Sequence, residues 1–139
     1  MAYIQNTNNL KRGAIVVGKA MVAQNAVVHT RGWIEGNAQV FGNAVVHRNS
    51  LIRDNARVYG DAVITNNAFI AGEADISSDN DWFIMSYNGK TLTGYRSRNK
   101  RGYELFVGNG NHISLSAIDP IFRSTVKYMI SRFTPFANK

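Results

Sequence analysis

The chain of 139 residues contains no cysteine, which excludes disulfide staples and thiolate metal sites and fits a reducing compartment. No apolar run approaches the length needed to cross a bilayer. The polar stretch from Met1 to Asn9 lacks the apolar core and small-residue cleavage site of a signal peptide. The expected setting is therefore cytoplasmic, with no membrane partner. Acidic side chains are scarce: 9 Asp and Glu face 16 Lys and Arg, a formal net charge of +7. Such an excess favours anionic partners, whether nucleotides, nucleic acid or acidic protein surfaces; the plainer alternative is a soluble protein that is merely basic. Also missing are a Ser-His-Asp set in a recognisable context, a phosphate loop and a paired-carboxylate signature. The 45% hydrophobic and 18% charged fractions are those of a folded chain.

What is present is a six-residue repeat. With Ala14 as position one, that position holds Ala, Gly or Ser in every unit as far as Ala74. Position three runs Val16, Val22, Val28, Ile34, Val40, Val46, Ile52, Val58, Ile64, Ile70, Ile76, all β-branched and without an insertion. β-Branched residues favour extended backbone, and alternation points positions one and three inward and positions two and four outward. Positions five and six carry pairs such as Gly36-Asn37, Gly42-Asn43, Gly60-Asp61 and Asn66-Asn67, which tolerate positive φ. Short strands joined by such turns predict a triangular parallel β-helix over residues 14–79, three units to a coil and about 3.5 coils long.

This repeat resembles the hexapeptide-repeat family, whose members form left-handed parallel β-helices and are often trimeric acyltransferases. The resemblance covers about half of the chain. The family's usual motif places Gly, Ala, Glu or Asp directly after the aliphatic residue; here that place holds Phe41, His47, Arg53 or Tyr59, and Gly comes one place later. The variant Ala-x-Val-x-Gly-Asn is similar to small repeat proteins of phages and prophages labelled polymer-forming or transferase. Asp81 to Ile118 looks like the tail that follows the repeat in them. The resemblance implies a left-handed helix, a homotrimer and a phage-encoded protein acting in a bacterial cytoplasm.

Residues 18 apart stack on one face. The first face carries Ile15, Trp33, Leu51 and Phe69, a large apolar column that implies cover by another subunit or by the C-terminal segment. The third face carries Val27, Val45 and Val63, with His29, His47 and Thr65 beside them. The second is more polar, with Met21, Gln39, Arg57 and Asp75, although Phe41 and Tyr59 stack there. Two adjacent apolar faces suit a three-fold assembly, in which each subunit offers two different surfaces. The expected homotrimer interface is thus Ile15, Trp33, Leu51, Phe69, Val27, Val45 and Val63; a monomer whose own C-terminal segment covers one stripe is the alternative.

The chain thus divides into an N-terminal segment (1–13), the repeat (14–79) and a C-terminal segment (80–139), and the fold class is mainly β. In the last segment Trp82 to Met85 and Thr91 to Tyr95 flank the turn Asn88-Gly89. Tyr103 to Val107 and His112 to Ala117 read as further strands of a small antiparallel sheet. Asp119-Pro120 then starts a helix, with Asp as N-cap and Ile121, Phe122, Val126, Met129, Ile130 and Phe133 on its apolar face.

Between two of these strands lies a basic loop, Arg96, Arg98, Lys100 and Arg101, flanked by Tyr95 and Tyr103. Arginines offer bidentate contacts to phosphate and tyrosines can stack on a base; a charged hairpin tip is the alternative. The fold is expected to be independent of Arg96 and Arg98, which lie outside both apolar sets. In the acyltransferases that the repeat resembles, a cleft histidine is the general base, which would make His29 or His47 catalytic here. A shared metal lacks a third ligand, and no extended acyl-carrier loop interrupts the repeat. The expectation is a non-enzymatic oligomer without cofactor or metal. It would sequester an anionic ligand such as a signalling nucleotide, or block a host defence protein. Nucleic acid is a less favoured partner. A minimal acyltransferase and a purely structural oligomer are the alternatives.

Overall fold

The structure, a computed structural model, describes residues 2–136. Met1 and Ala137 to Lys139, the outer ends of the expected terminal segments, lie outside the described residues. Each repeat unit contributes a two-residue strand formed by positions two and three, such as Trp33–Ile34 or Val45–Val46. These strands stack in parallel with an 18-residue register, Ile15 on Trp33 and Trp33 on Leu51. The result is a parallel β-solenoid of about four turns with sheets of five, three and four strands.

The solenoid is longer than the expected 3.5 coils because it starts before Ala14. Tyr3–Ile4 pairs with Met21–Val22, and Leu10 bridges to Val28. Ile4 and Leu10 fall at position three of the same hexad phase and pack against the core. Asn9 closes this first coil: its side-chain amide donates to the carbonyls of Gln24 (3.1 Å) and Ala26 (2.7 Å). Those carbonyls would otherwise be unpaired at a solenoid end.

Inside, the column follows the pattern of positions one and three. From Ala20 to Ile76 its alanines, valines and isoleucines are fully buried. Full burial of each Val or Ile stabilises by roughly 1.5–3 kcal/mol before chain entropy is counted. Two corners turn on Gly at position five. At Gly60 an added Cβ would lie 2.2 Å from the Ser77 carbonyl oxygen, so the stack closes only with glycine there.

The C-terminal segment forms a four-stranded antiparallel sheet from Trp82–Tyr87, Lys90–Arg96, Tyr103–Val107 and Asn111–His112. Alternation splits its side chains. Trp82 and Tyr95 join the solenoid core and cover its last coil, whereas Phe83, Tyr87, Leu92 and Leu105 form a second core with Val126 of the helix Pro120–Ser131. The fourth strand is shorter than expected, since Leu115–Ala117 is a 3-10 turn. Asp119 precedes the helix, but its side chain makes no capping hydrogen bond; its N–H donates to the Tyr87 hydroxyl. Ile121 is 80% exposed and so lies off the apolar face. No helix among the described residues is long and apolar enough to cross a membrane.

Candidate anion-binding site

The basic loop does not form the expected anion site. Arg96 is buried, and its guanidinium is spent within the fold. It meets Asp75 at 2.7 Å and Asp81 at 3.9 Å, donates to the carbonyls of Asp75 and Thr134, and lies over the Phe136 ring. Tyr95 is wholly buried beneath the sheet, so it has no face for a base, and burial pushes its phenol well above the ordinary range. Arg98 donates to the carbonyls of Glu73 and Asn55 and lies near both Glu73 and Asp75. Arg101 pairs with Glu104 beside the half-buried Tyr103. Lys100 alone of the four stands exposed without an ion pair among the described residues. The reason is topological: the loop meets the end of the solenoid, where Asp75 and Asp81 are buried and need a cation.

A cluster of positive charge without ion pairs among the described residues lies elsewhere, on the corner that turns from the third face to the first. Position four of this corner stacks Lys11, His29, His47 and Thr65. Position five stacks Arg12, Thr30, Arg48 and Asn66, and position six Gly13, Arg31, Asn49 and Asn67. No carboxylate occurs in these columns, and Lys11, Arg12, Arg31 and Arg48 make no ion pair among the described residues. The repeat's acidic residues occupy other positions: Glu35, Asp54 and Glu73 at the next corner, Asp61 and Asp79 at the one after, and Asp75 on the second face. Coils stack about 4.8 Å apart, so Arg12 and Arg48 are about 10 Å from each other along the ladder.

Backbone conformation sets this corner apart as well. At the other two corners only position five is left-handed, usually as Gly. Here both turn residues are left-handed, and few are Gly: φ is 47° at Arg12, 46° at Thr30, 62° at Arg31, 55° at Arg48 and 63° at Asn49. A left-handed conformation costs an L residue about 1–2 kcal/mol, and a β-branched one such as Thr30 is a clear outlier. Hydrogen bonds hold the turns, from the N–H of Arg31 to Arg12 O (3.1 Å) and from the N–H of Asn49 to Thr30 O (3.2 Å). Arginine thus stands where glycine would be easier, an outlier that points to use of the side chains.

His29 and His47 stack with ring centroids 4.6 Å apart, and His29 Nδ1 lies 2.8 Å from Thr30 Oγ1. Burial, then Arg12, Lys11 and Arg48, hold His29 below the ordinary imidazole range; burial, then His29 and Arg48, do the same for His47. Both are therefore mainly neutral at pH 7. No group of three or more His, Asp or Glu that could hold a metal occurs among the described residues.

A groove flanks the corner on each side. One, of about 340 Å³, is lined by Lys11, Arg12, Val27, His29 and Val45. The other, of about 500 Å³, runs over the first face between Arg31 and Glu35. The chain's own C-terminal sheet covers only the top of that face: Phe69 is buried against Phe106, and its N–H donates to Thr93 Oγ1, while Ile15 and Trp33 stay about 40% exposed. Val27, Val45 and Val63 on the third face are half-buried. Fold and site together define a capped parallel β-solenoid with a basic corner. The chain matches no protein-family model, no curated protein and no solved structure.

Proposed function

We propose that the protein is a non-enzymatic, oligomeric binding protein that holds an anionic ligand on the basic corner. The observation that carries this reading is the ladder itself: Lys11, Arg12, Arg31 and Arg48 make no ion pair among the described residues, and the three arginines stand on left-handed turns. Desolvating a carboxylate partner is not required of such cations, so a phosphate can take the contacts at once. The likeness of the repeat to phage and prophage proteins extends the reading to sequestration of a small anion of a bacterial host, or to cover of an acidic host protein. A purely structural, open-ended stack fits less well, because Trp82 and Tyr95 close one end of the column.

Pyrophosphate binding measured by calorimetry at rising salt tests the proposal. Affinity should fall as salt screens the corner, and the combined Arg12→Gly, Arg31→Gly, Arg48→Gly variant should lose binding while its solenoid persists. Replacing Arg98, Lys100 and Arg101 should change little. Undiminished binding in the corner variant would overturn the assignment.

The depressed histidines favour one second reading, an acyltransferase in which neutral His29 or His47 takes a proton from the acceptor. It predicts release of free thiol from an acyl-coenzyme A, abolished by His29→Gln or His47→Gln. Anion binding without thiol release speaks against it.

A further inference from the structure

The groove over the first face adds a chemical class to the ligand. Arg31, Trp33 and Glu35 line it in chain order, a cation, an aromatic ring and a carboxylate on alternate residues. Ile15 and Leu51 extend the apolar floor, and Asn109, from the C-terminal sheet, closes one side. Glu35 lies 3.7 Å from Arg53 on the far rim. Four residues at about 3.3 Å each set the basic and acidic rims about 13 Å apart. Trp33 is 40% exposed, whereas Phe69 in the same column is covered.

Such a groove asks for three things in one molecule: an anionic end for Arg31 and the corner, a flat ring for Trp33, and hydroxyl or amine donors for Glu35. Resting on the anion-corner reading above, we infer that the ligand is a nucleotide. Its phosphates lie on Arg31 and the neighbouring ladder, its base stacks on Trp33, and sugar or base donors reach Glu35. A bare inorganic anion would use the corner and leave the groove empty. An acyl chain would use the floor but offer nothing to Glu35.

ADP and pyrophosphate carry the same diphosphate and differ by the nucleoside, so comparing them isolates the groove. The chain has two tryptophans, and Trp82 is buried in the core, so an emission change on binding reports on Trp33. Each ligand is titrated into the full chain, read by calorimetry and by tryptophan emission. ADP should bind at least about tenfold more tightly than pyrophosphate, the ratio that one base–aromatic stack supplies, and should alter the emission. Trp33→Leu should reduce ADP to the pyrophosphate level without changing pyrophosphate itself. Glu35→Gln should weaken ADP severalfold and spare pyrophosphate. Equal affinities, or ADP binding indifferent to Trp33→Leu, would overturn the nucleotide and leave the anion corner standing. Failure of both ligands to bind would overturn the corner.

Discussion

Arg96 joins the two halves of the molecule. Its guanidinium bridges Asp75, at the last rung of the solenoid, to the carbonyl of Thr134 beyond the C-terminal helix. Asp81 lies beside it, fully buried. Burial alone would raise the Asp81 carboxyl, but hydrogen bonds from the Thr134 and Ser77 N–H groups hold it below the ordinary range. Removing the arginine leaves buried Asp81 without a cation and Asp75 with only the longer contacts to Arg57 and Arg98, each at 3.9 Å. Loss of one partner from a buried pair costs about 3–5 kcal/mol. Arg96→Ala should therefore lower the unfolding free energy by that amount, read by denaturant melts, whereas Arg101→Ala on the exposed loop should shift it by less than about 1 kcal/mol. Equal, small effects would mean that the joint carries no stabilisation. The expectation that the fold is independent of Arg96 is corrected on the same ground. A run of four basic residues reads as a surface loop until the partners of each are known, and Asp75 lies 21 residues before Arg96.

At the scale of the element, the solenoid was legible because one physical rule, small at position one and β-branched at position three, repeats without a gap. The same phase also reaches Ile4 and Leu10 behind its assumed start and Trp82 beyond its assumed end, and each packs against the core. The basic corner was legible in principle. Its members are spread over neighbouring columns of successive coils and, apart from the pair Lys11-Arg12, lie 17 to 19 residues apart, so reading along the chain passes over them, whereas reading down the columns collects Lys11, Arg12, Arg31 and Arg48 at once. The left-handed turns that mark it were not legible, since Thr and Arg give no signal for positive φ. Within this corner the two histidines make a prediction about pH. Their folded-state values are depressed from about 6.5, so the unfolded chain binds protons that the folded chain refuses. Their contribution to stability is present above that pH and is lost as pH falls from about 6.5 toward the depressed values. Melting temperature should drop between pH 7.5 and 5.5, and His47→Gln should flatten the slope. Bound pyrophosphate favours the charged imidazoles, so its affinity should rise over the same fall in pH. Melts and affinities flat in pH would separate the histidines from the site.

For the whole molecule, the question is how the basic corner and the open apolar surface coexist. The third face, with Val27, Val45 and Val63, and the lower first face, with Ile15 and Trp33, flank the same corner. In the proposed homotrimer those two faces would pack against different neighbours, with a base on Trp33 held in the seam between subunits, and the corner between them would point to the three-fold axis. Three copies of Arg12, Arg31 and Arg48 then converge, and their repulsion opposes the apolar contact. An anion bound at the axis removes that repulsion, so ligand binding and assembly are linked by mass action. The prediction is read by sedimentation of the full chain, 15.4 kDa per copy. Without multivalent anion at low salt, the trimer should dissociate at a higher protein concentration than it does with pyrophosphate present. Glycine at Arg12, Arg31 and Arg48 should make assembly indifferent to the anion. Val45→Asp, a half-buried outward position, should leave single chains with the solenoid intact, because its carboxylate is solvated in the lone chain and desolvated between subunits. A wild-type chain that stays single at every concentration, with pyrophosphate or without, would remove the trimer and confine the site to one copy.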